Sequence, residues 1–403
     1  MDNLPNELLV LIMSYTNHSV CYHSTKLFAK LDSLLPLQVI YNIPYYYTAE
    51  KNIVNYKLYS RIIISGITRL VFDINSSVDS LPGTITHLIF GHQFNKSIDN
   101  LPNNITHLKC GHTFNRQIKR LPLNLQCLIL GYNFSTGIKS WPKKLLKFSI
   151  ISQFKMKNFN FPESITHLIC SDNNVFIGKN LVYLNIKYVF LNEQIDYSIS
   201  KLKTLYVPLL DSHLPNTLSK LILGHDFNQP IDNLPSILKI LILGRKFNKP
   251  IEYLPNTLSK LKLGYDFNQS IDNLPSILKI LILGGKFNQP IKYLPKTLNK
   301  LKLGSKFNQP IDHLPNNLKE LTLGYLFNQK INNLPELIKL KCYCNIVNPI
   351  LPLTLQYLYL FGYSQILNFK IPYSVKFINC FEIRGEVPKH VKYITHTTKL
   401  YWN

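Results

Sequence analysis

The sequence predicts a β-rich solenoid with a parallel sheet on one face and a small α-helical segment at its amino terminus. Three observations predict it. Leu-Pro stands at Leu81-Pro82, Leu101-Pro102 and Leu121-Pro122, and it returns from Leu214-Pro215 to Leu334-Pro335 at a constant interval of 20 residues. A fixed period of about 20 to 50 residues marks a stack of units in which each contacts only its neighbours. Each period also carries apolar residues at positions i, i+3 and i+5, and the short L-x-L alternation inside that triplet is a strand pattern. Finally, the rest of the unit has no helical period and is too short for a strand, two turns and a full helix. Such a chain builds a surface, and the expectation is a binding protein.

Residues 1–60 do not repeat. Leu4-Pro5-Asn6-Glu7-Leu8-Leu9, followed by Ile12 and Tyr15, predicts a short helix opened by proline, with Leu8, Ile12 and Tyr15 on one face. A second helix is expected over residues 19–31. The pattern L-P-x-E-L-L-x-x-I-x-S-Y resembles the start of an F-box, and Ser24-Thr25-Lys26-Leu27-Phe28 resembles its later half. That resemblance implies a Skp1-like adaptor as a partner, contacted by Leu4, Pro5, Leu8 and Ile12, and through it a cullin ubiquitin ligase. The competing role is a cap over the open apolar end of the solenoid, which any such stack requires.

Repeats begin after residue 60 and run, in four stretches, to the end. Residues 61–153 hold recognisable units, 154–210 irregular ones, 211–335 regular ones, and 336–403 degenerate units that lead into a carboxyl-terminal cap. The copy at 258–275 reads L-S-K-L-K-L-G-Y-D-F-N-Q-S-I-D-N-L-P, and the general form is L-x-x-L-x-L-G-x-x-F-N-Q-P-I-x-x-L-P-x-x. About 18 units follow the apolar triplet, from Ile67/Leu70/Phe72 to a weak last one at Val391. Gly224, Gly244 and Gly264 should end strands where the backbone bends sharply or takes positive φ. The phenylalanine should fill the core, the proline should start the next extended turn, and Asn228, Asn248, Asn268, Asn288 and Asn308 should form a ladder of bonds to backbone. A lone unit buries too little apolar surface to offset the ordering of its backbone, so stacking must supply the remainder.

Phe-Asn-x-Pro-Ile at residues 227–231 and 287–291 resembles the FNIP repeat, a family similar to a short leucine-rich repeat and expanded in social amoebae and giant viruses of amoebae. The resemblance spans about residues 67–396 and is most specific over 214–335. It weakens at 154–210, where Phe-Asn is missing and the triplets starting at Ile165, Leu181, Leu202 and Leu218 fall 16, 21 and 16 residues apart, a spacing that predicts a kink or bulged seam. Residues 216–255 and 256–295 are nearly identical, as duplication of a two-unit block would leave them. An F-box ahead of such repeats implies a substrate receptor of a ubiquitin ligase. It also implies a cytoplasmic location, that of the host cell for a viral member.

Composition bounds the rest. The formal charge of +23 suggests nucleic acid. A genome rich in A and T offers another source, since the chain has only Ala29 and Ala49 as alanines while Lys, Asn, Ile and Tyr abound. The seven cysteines form no even framework, nothing resembles a secretory signal, and no apolar run is long enough to span a membrane. Neither a G-x-S-x-G, a P-loop nor an H-E-x-x-H occurs, and no cofactor or enzymatic activity is expected. His87, His92, His107 and His112 fall on adjacent units near Cys110, but Cys110 occupies an inward position of the triplet, so a core role is favoured over zinc. Cys342 and Cys344 should alternate inward and outward on one strand.

The partner-binding face is expected on the outward positions of the strands. In the regular block these carry Lys220 and Ile222, then Ile240 and Ile242, Lys260 and Lys262, Ile280 and Ile282, Lys300 and Lys302, Glu320 and Thr322, and Lys339 and Lys341. Basic and apolar rungs would alternate about every 4.8 Å. Contiguous exposed isoleucine is uncommon on soluble surfaces without a use, so the expected partner is a polypeptide with acidic and apolar residues, bound by a monomer. Plain inheritance of the duplicated block would produce the same alternation. Nucleic acid ranks below protein, because the block is poor in arginine and its repeated aromatic residue points inward.

Overall fold

The computed structural model describes residues 68–72, 75–79, 81, 83–150, 152, 161–171, 179–186, 201–208, 210, 214–331, 333–344, 346, 349–361, 366–367, 370–380, 382–383 and 387–395. The expected amino-terminal helices, with Leu4, Pro5, Leu8 and Ile12, lie outside the described residues. The chain divides into two compact units, Met1–Phe154 and Lys155–Asn403.

The first unit holds five parallel strands among its described residues: β1 (Arg69–Phe72), β2 (His87–Phe90), β3 (His107–Lys109), β4 (Cys127–Leu130) and β5 (Lys147–Ile150). They pair in chain order and in register, with Leu70, Leu88, Leu108, Leu128 and Phe148 in one row. The second unit continues the scheme with β6 (His167–Cys170), β7 (Tyr183–Ile186), β8 (Thr204–Val207), β9 (Lys220–Leu223), β10 (Ile240–Ile242), β11 (Lys260–Lys262) and β12 (Ile280–Ile282). After these come β13 (Lys300–Lys302), β14 (Glu320–Leu323), β15 (Lys339–Cys342), β16 (Tyr357–Leu360), β17 (Ile366–Leu367), β18 (Phe377–Cys380), β19 (Glu382–Ile383) and β20 (Lys392–Thr395). All pair in parallel with the next coil, while β17 and β19 form a separate two-stranded sheet. No helix occurs among the described residues, so each coil is one strand closed by turns.

Register follows from the apolar triplet. In the coil around β11, Leu258, Leu261 and Leu263 are buried, and Lys260 and Lys262 alternate with them outward. A one-residue slip would turn every lysine inward, so burial of one face fixes the pairing. The irregular spacing of 154–210 does not break this pattern where it is described: Leu168, Leu184, Leu205 and Leu221 stand in one row although 16, 21 and 16 residues separate them. Extra or missing residues are absorbed in the turns, because pairing demands only that the triplets align.

Two tight turns close each coil. The amide of Leu238 donates to the carbonyl of Pro235 at 3.0 Å, and the same bond recurs from Leu258 to Pro255 and from Leu278 to Pro275. The proline of Leu-Pro therefore supplies the acceptor for the turn that leads into each strand of the regular block. After the strand, the amide of Phe247 donates to the carbonyl of Gly244 at 3.3 Å. The phenylalanines this turn delivers are buried and stacked, with Phe227, Phe247, Phe267, Phe287, Phe307 and Phe327 in a column. Consecutive rings lie between 5.9 and 6.3 Å apart, against about 4.8 Å for paired strands.

Beside this column asparagine side chains join one coil to the next. The Oδ1 of Asn228 accepts the amide of Asn248 at 2.9 Å, and the ladder continues through Asn268, Asn288 and Asn308 to Asn328. A shorter copy runs from Asn75 through Asn95 and Asn115 to Ser135 in the first unit. The expected asparagine ladder is present, with the side-chain oxygen doing the accepting.

Glycine serves a different purpose from the one expected. Among the described residues the positive-φ glycine is Gly137, with φ of 92°, while the glycines that follow the strands have ordinary φ. A Cβ on Gly244, Gly264, Gly284 or Gly304 would instead fall on the carbonyl of the glycine in the preceding coil. Backbones stack so closely in this column that no side chain fits between them.

Candidate functional site

The outward strand positions of β9 to β15 form one continuous surface in the second unit. Register places Lys220, Ile240, Lys260, Ile280, Lys300, Glu320 and Lys339 in one column. A second column holds Ile222, Ile242, Lys262, Ile282, Lys302, Thr322 and Lys341. Lys262 and Lys302 are exposed, and the isoleucines are half-buried between their neighbours. The geometry thus brings all eleven residues singled out on this face onto one sheet surface.

Their electrostatic states differ, which the residue pattern did not reveal. Lys300 Nζ lies 2.7 Å from a carboxylate oxygen of Glu320 on the next rung, so its charge is already balanced. Lys339 and Lys341 both reach over the ring of Tyr359, at 5.4 and 4.7 Å from its centre. Lys260, Lys262 and Lys302 have no carboxylate partner among the described residues. Partial burial, followed by the nearby Lys339 and Lys300, holds the Lys341 ammonium below its ordinary value, a sign that like charge accumulates at this end of the surface. The Lys300–Glu320 pair was legible in principle, since Glu320 stands 20 residues after Lys300 at the same place in the unit.

A trough of about 760 Å³ runs across the strands beside the second column. Ile222, Ile242, Lys262, Ile282, Lys302 and Thr322 form one wall, and the stacked glycines form the floor. The other wall carries Arg245, Tyr265, Tyr325 and Tyr343, with the Arg245 guanidinium 5.0 Å from the centre of the Tyr265 ring. Sequence reasoning missed this feature. Its signal was the column of glycines, which leaves a floor of bare backbone between the two rows of side chains.

The other singled-out clusters resolve as structure. His87 and His107 stack with ring centres 4.3 Å apart and planes 6° from parallel, each Nδ1 2.9 Å from the hydroxyl of the preceding threonine. Parallel rings aim their remaining nitrogens side by side and do not converge on one ion. Burial, then the charge of a neighbour (His107 for His87, Lys147 for His107), lowers both imidazoles. Cys110, Cys170, Cys342 and Cys380 are buried in the core, as the triplet predicted. Cys344 departs from expectation: it is buried on the same side as Cys342, because residues two apart share a face and the alternation of Leu340, Cys342 and Cys344 inward with Lys341 and Tyr343 between them continues past the end of the strand. Among the described residues no group of three or more metal-ligating side chains comes together, and no helix is long and apolar enough to cross a membrane.

Comparison with known proteins agrees with the coil geometry. The FNIP Repeat family matches at residues 72–113, 94–133, 227–266, 267–306 and 307–341. A crystal structure titled as that of CroV588, a novel circular LRR protein, is 29% identical with a TM-score of 0.62, and the match covers 82% of this chain and 56% of that one. This chain therefore spans little more than half the length of that protein. YopM from Yersinia enterocolitica WA-314 is 19% identical over 81% of this chain and 68% of its own, with a TM-score of 0.38. No curated protein matches the sequence. Residues 72–133 and 227–341 thus match FNIP repeats, and the described coils fold as a parallel, leucine-rich-repeat-like β-solenoid, a fold typical of interaction scaffolds.

Proposed function

We propose that the protein captures a polypeptide partner on its strand face and, through residues 1–60, presents it to a Skp1-cullin ubiquitin ligase. The observation that carries the capture step is the lysine and isoleucine surface of β9 to β15, where Lys260, Lys262 and Lys302 stand without carboxylate partners among the described residues, beside half-buried isoleucines. Unbalanced charge next to apolar surface favours an acidic partner with apolar side chains, because charge steers the encounter and burial of the isoleucines holds the complex. The ligase link rests on the F-box-like pattern at Leu4, Pro5, Leu8 and Ile12. The protein would act in the cytoplasm as a monomer, without catalysis or cofactor.

A pull-down from cell extract with the full chain tests both parts. Recovery of Skp1 and cullin, lost on deletion of residues 1–33, is the expected result. Recovery of protein partners without Skp1 would overturn the ligase link and leave an interaction scaffold. Complexes that dissolve with a steep salt dependence and contain nucleic acid would overturn protein capture itself.

A further inference from the structure

Spacing along the trough narrows the partner further, and this inference rests on the strand-face reading above. Lys262, Lys302 and Lys341 occupy every second rung of one column, with Ile282 and Thr322 on the rungs between. Rungs of a parallel sheet are about 4.8 Å apart, so these lysines repeat about every 9.6 Å. A partner lying along the trough must offer carboxylates on one side at that interval.

Secondary structure decides which chain can do so. In an extended β-strand, side chains on one face recur every second residue, at intervals of about 6.6 Å or twice that. Neither matches. A polyproline II helix has three residues per turn and rises about 3.1 Å per residue, so every third side chain shares a face at about 9.3 Å. That value fits the lysine column within a few tenths of an ångström per step. Other features of the trough suit the same conformer. Its floor is glycine backbone, which leaves room for a chain without side-chain collision, and Gly285 leaves space for the ring of Tyr265, which lies over it. Tyr265, Tyr325 and Tyr343 line the wall opposite the lysines, and aromatic-lined grooves dock polyproline II segments, whose extended form costs little ordering entropy.

We propose that the glycine-floored trough binds a polyproline II segment carrying an acidic residue at every third position, its carboxylates meeting Lys262 and Lys302 on the trough wall and then Lys341 on the next lysine rung beyond it. A single-stranded nucleic acid also presents repeated negative charge, but the wall has Arg245 as its one arginine among the described residues and Ile282 separates Lys262 from Lys302, which favours a polypeptide.

Fluorescence anisotropy with the full chain tests this. The probe is a labelled peptide of repeated Asp-Pro-Leu triplets, compared with a peptide of equal composition whose aspartates alternate between two- and four-residue intervals. The triplet peptide should bind about tenfold more tightly, and Lys262→Glu combined with Lys302→Glu should weaken it by about tenfold or more. Lys279→Glu combined with Lys306→Glu, equal in charge but away from the trough, should leave binding unchanged, and thermal melts of both variants should match the parent. Equal affinity for the two peptides overturns the spacing. If both are then lost in the Lys262/Lys302 variant the strand-face reading survives, and if both are retained that reading fails as well. Tighter binding of an oligothymidylate than of the triplet peptide overturns the proposal in favour of nucleic acid.

Discussion

Replacing Gly264 by alanine should destabilise the second unit far more than a glycine-to-alanine change ordinarily does. The new Cβ would fall on the Gly244 carbonyl, 2.6 Å from its carbon and 3.1 Å from the carbonyl carbon of Arg245. Both neighbours are backbone, so no rotamer change relieves the clash, and the coils must part by roughly an ångström or more to restore contact distance. Parting them stretches the bonds that cross the same gap, in which Leu243 donates to Lys262 and Asp266 to Arg245, both at 2.8 Å. Overpacking costs about 1 to 3 kcal/mol, and each lost backbone bond adds about 1 kcal/mol. The sum is about 4 kcal/mol, which for a unit of this size lowers Tm by roughly 10 °C. Because a solenoid is held by neighbour interfaces, amide exchange should accelerate first in β10, β11 and β12. Two other glycines separate this cause from backbone strain. Gly83 has open space and ordinary φ, so alanine there should change stability by about 0.5 kcal/mol or less. Gly137 has open space but φ of 92°, and alanine there should cost about 1 to 2 kcal/mol. Circular-dichroism melts of the three variants give the ranking. A shift for Gly264→Ala no larger than that of Gly137→Ala would refute the account of the glycine column as a steric requirement.

Three further outcomes are expected. Asn268→Ala removes the acceptor for the Asn288 amide and should cost about 1 kcal/mol in a denaturant titration, whereas Asn268→Asp keeps that acceptor and should cost less. Lowered imidazole pKa values at His87 and His107 mean that the unfolded chain takes up protons first. Their contribution to stability should be present above about pH 6.5 and fade as pH falls through the depressed folded values, with the acid-side loss reduced in a His87→Gln/His107→Gln variant. At the alkaline side, burial pushes the Cys380 thiol up to about 11. Stability from that site should therefore hold below the usual thiol range and decline as pH rises from about 9 through 11. Cys380→Ala should flatten that decline, and Cys380 should resist alkylation by iodoacetamide until the protein unfolds.

Much of the coil was legible because its demands are local and repeated. Leu258, Leu261 and Leu263 announce the buried edge of a strand, Phe267 the core residue after it, and Asn268 the ladder beside that core. Repetition makes each inference strong, since a side chain must serve the same neighbour in every copy. One reading of the local pattern was wrong: Cys344 was placed opposite Cys342, whereas residues two apart on an extended chain share a face, and the inward alternation runs on from Leu340 and Cys342 to Cys344.

By itself the sequence determined the period, the strand in each unit, its inward and outward residues and the absence of room for a helix, all of which depend on spacing along one chain. Tertiary structure alone decided what happens between coils. Stacking distance turned glycine from a residue of special φ into one with no space for a Cβ, and register placed Glu320 against Lys300 while leaving Lys262 and Lys302 unbalanced. The physical reason is that sterics and charge pairing act across about 5 Å of space between residues 20 apart, and only the stack converts one separation into the other.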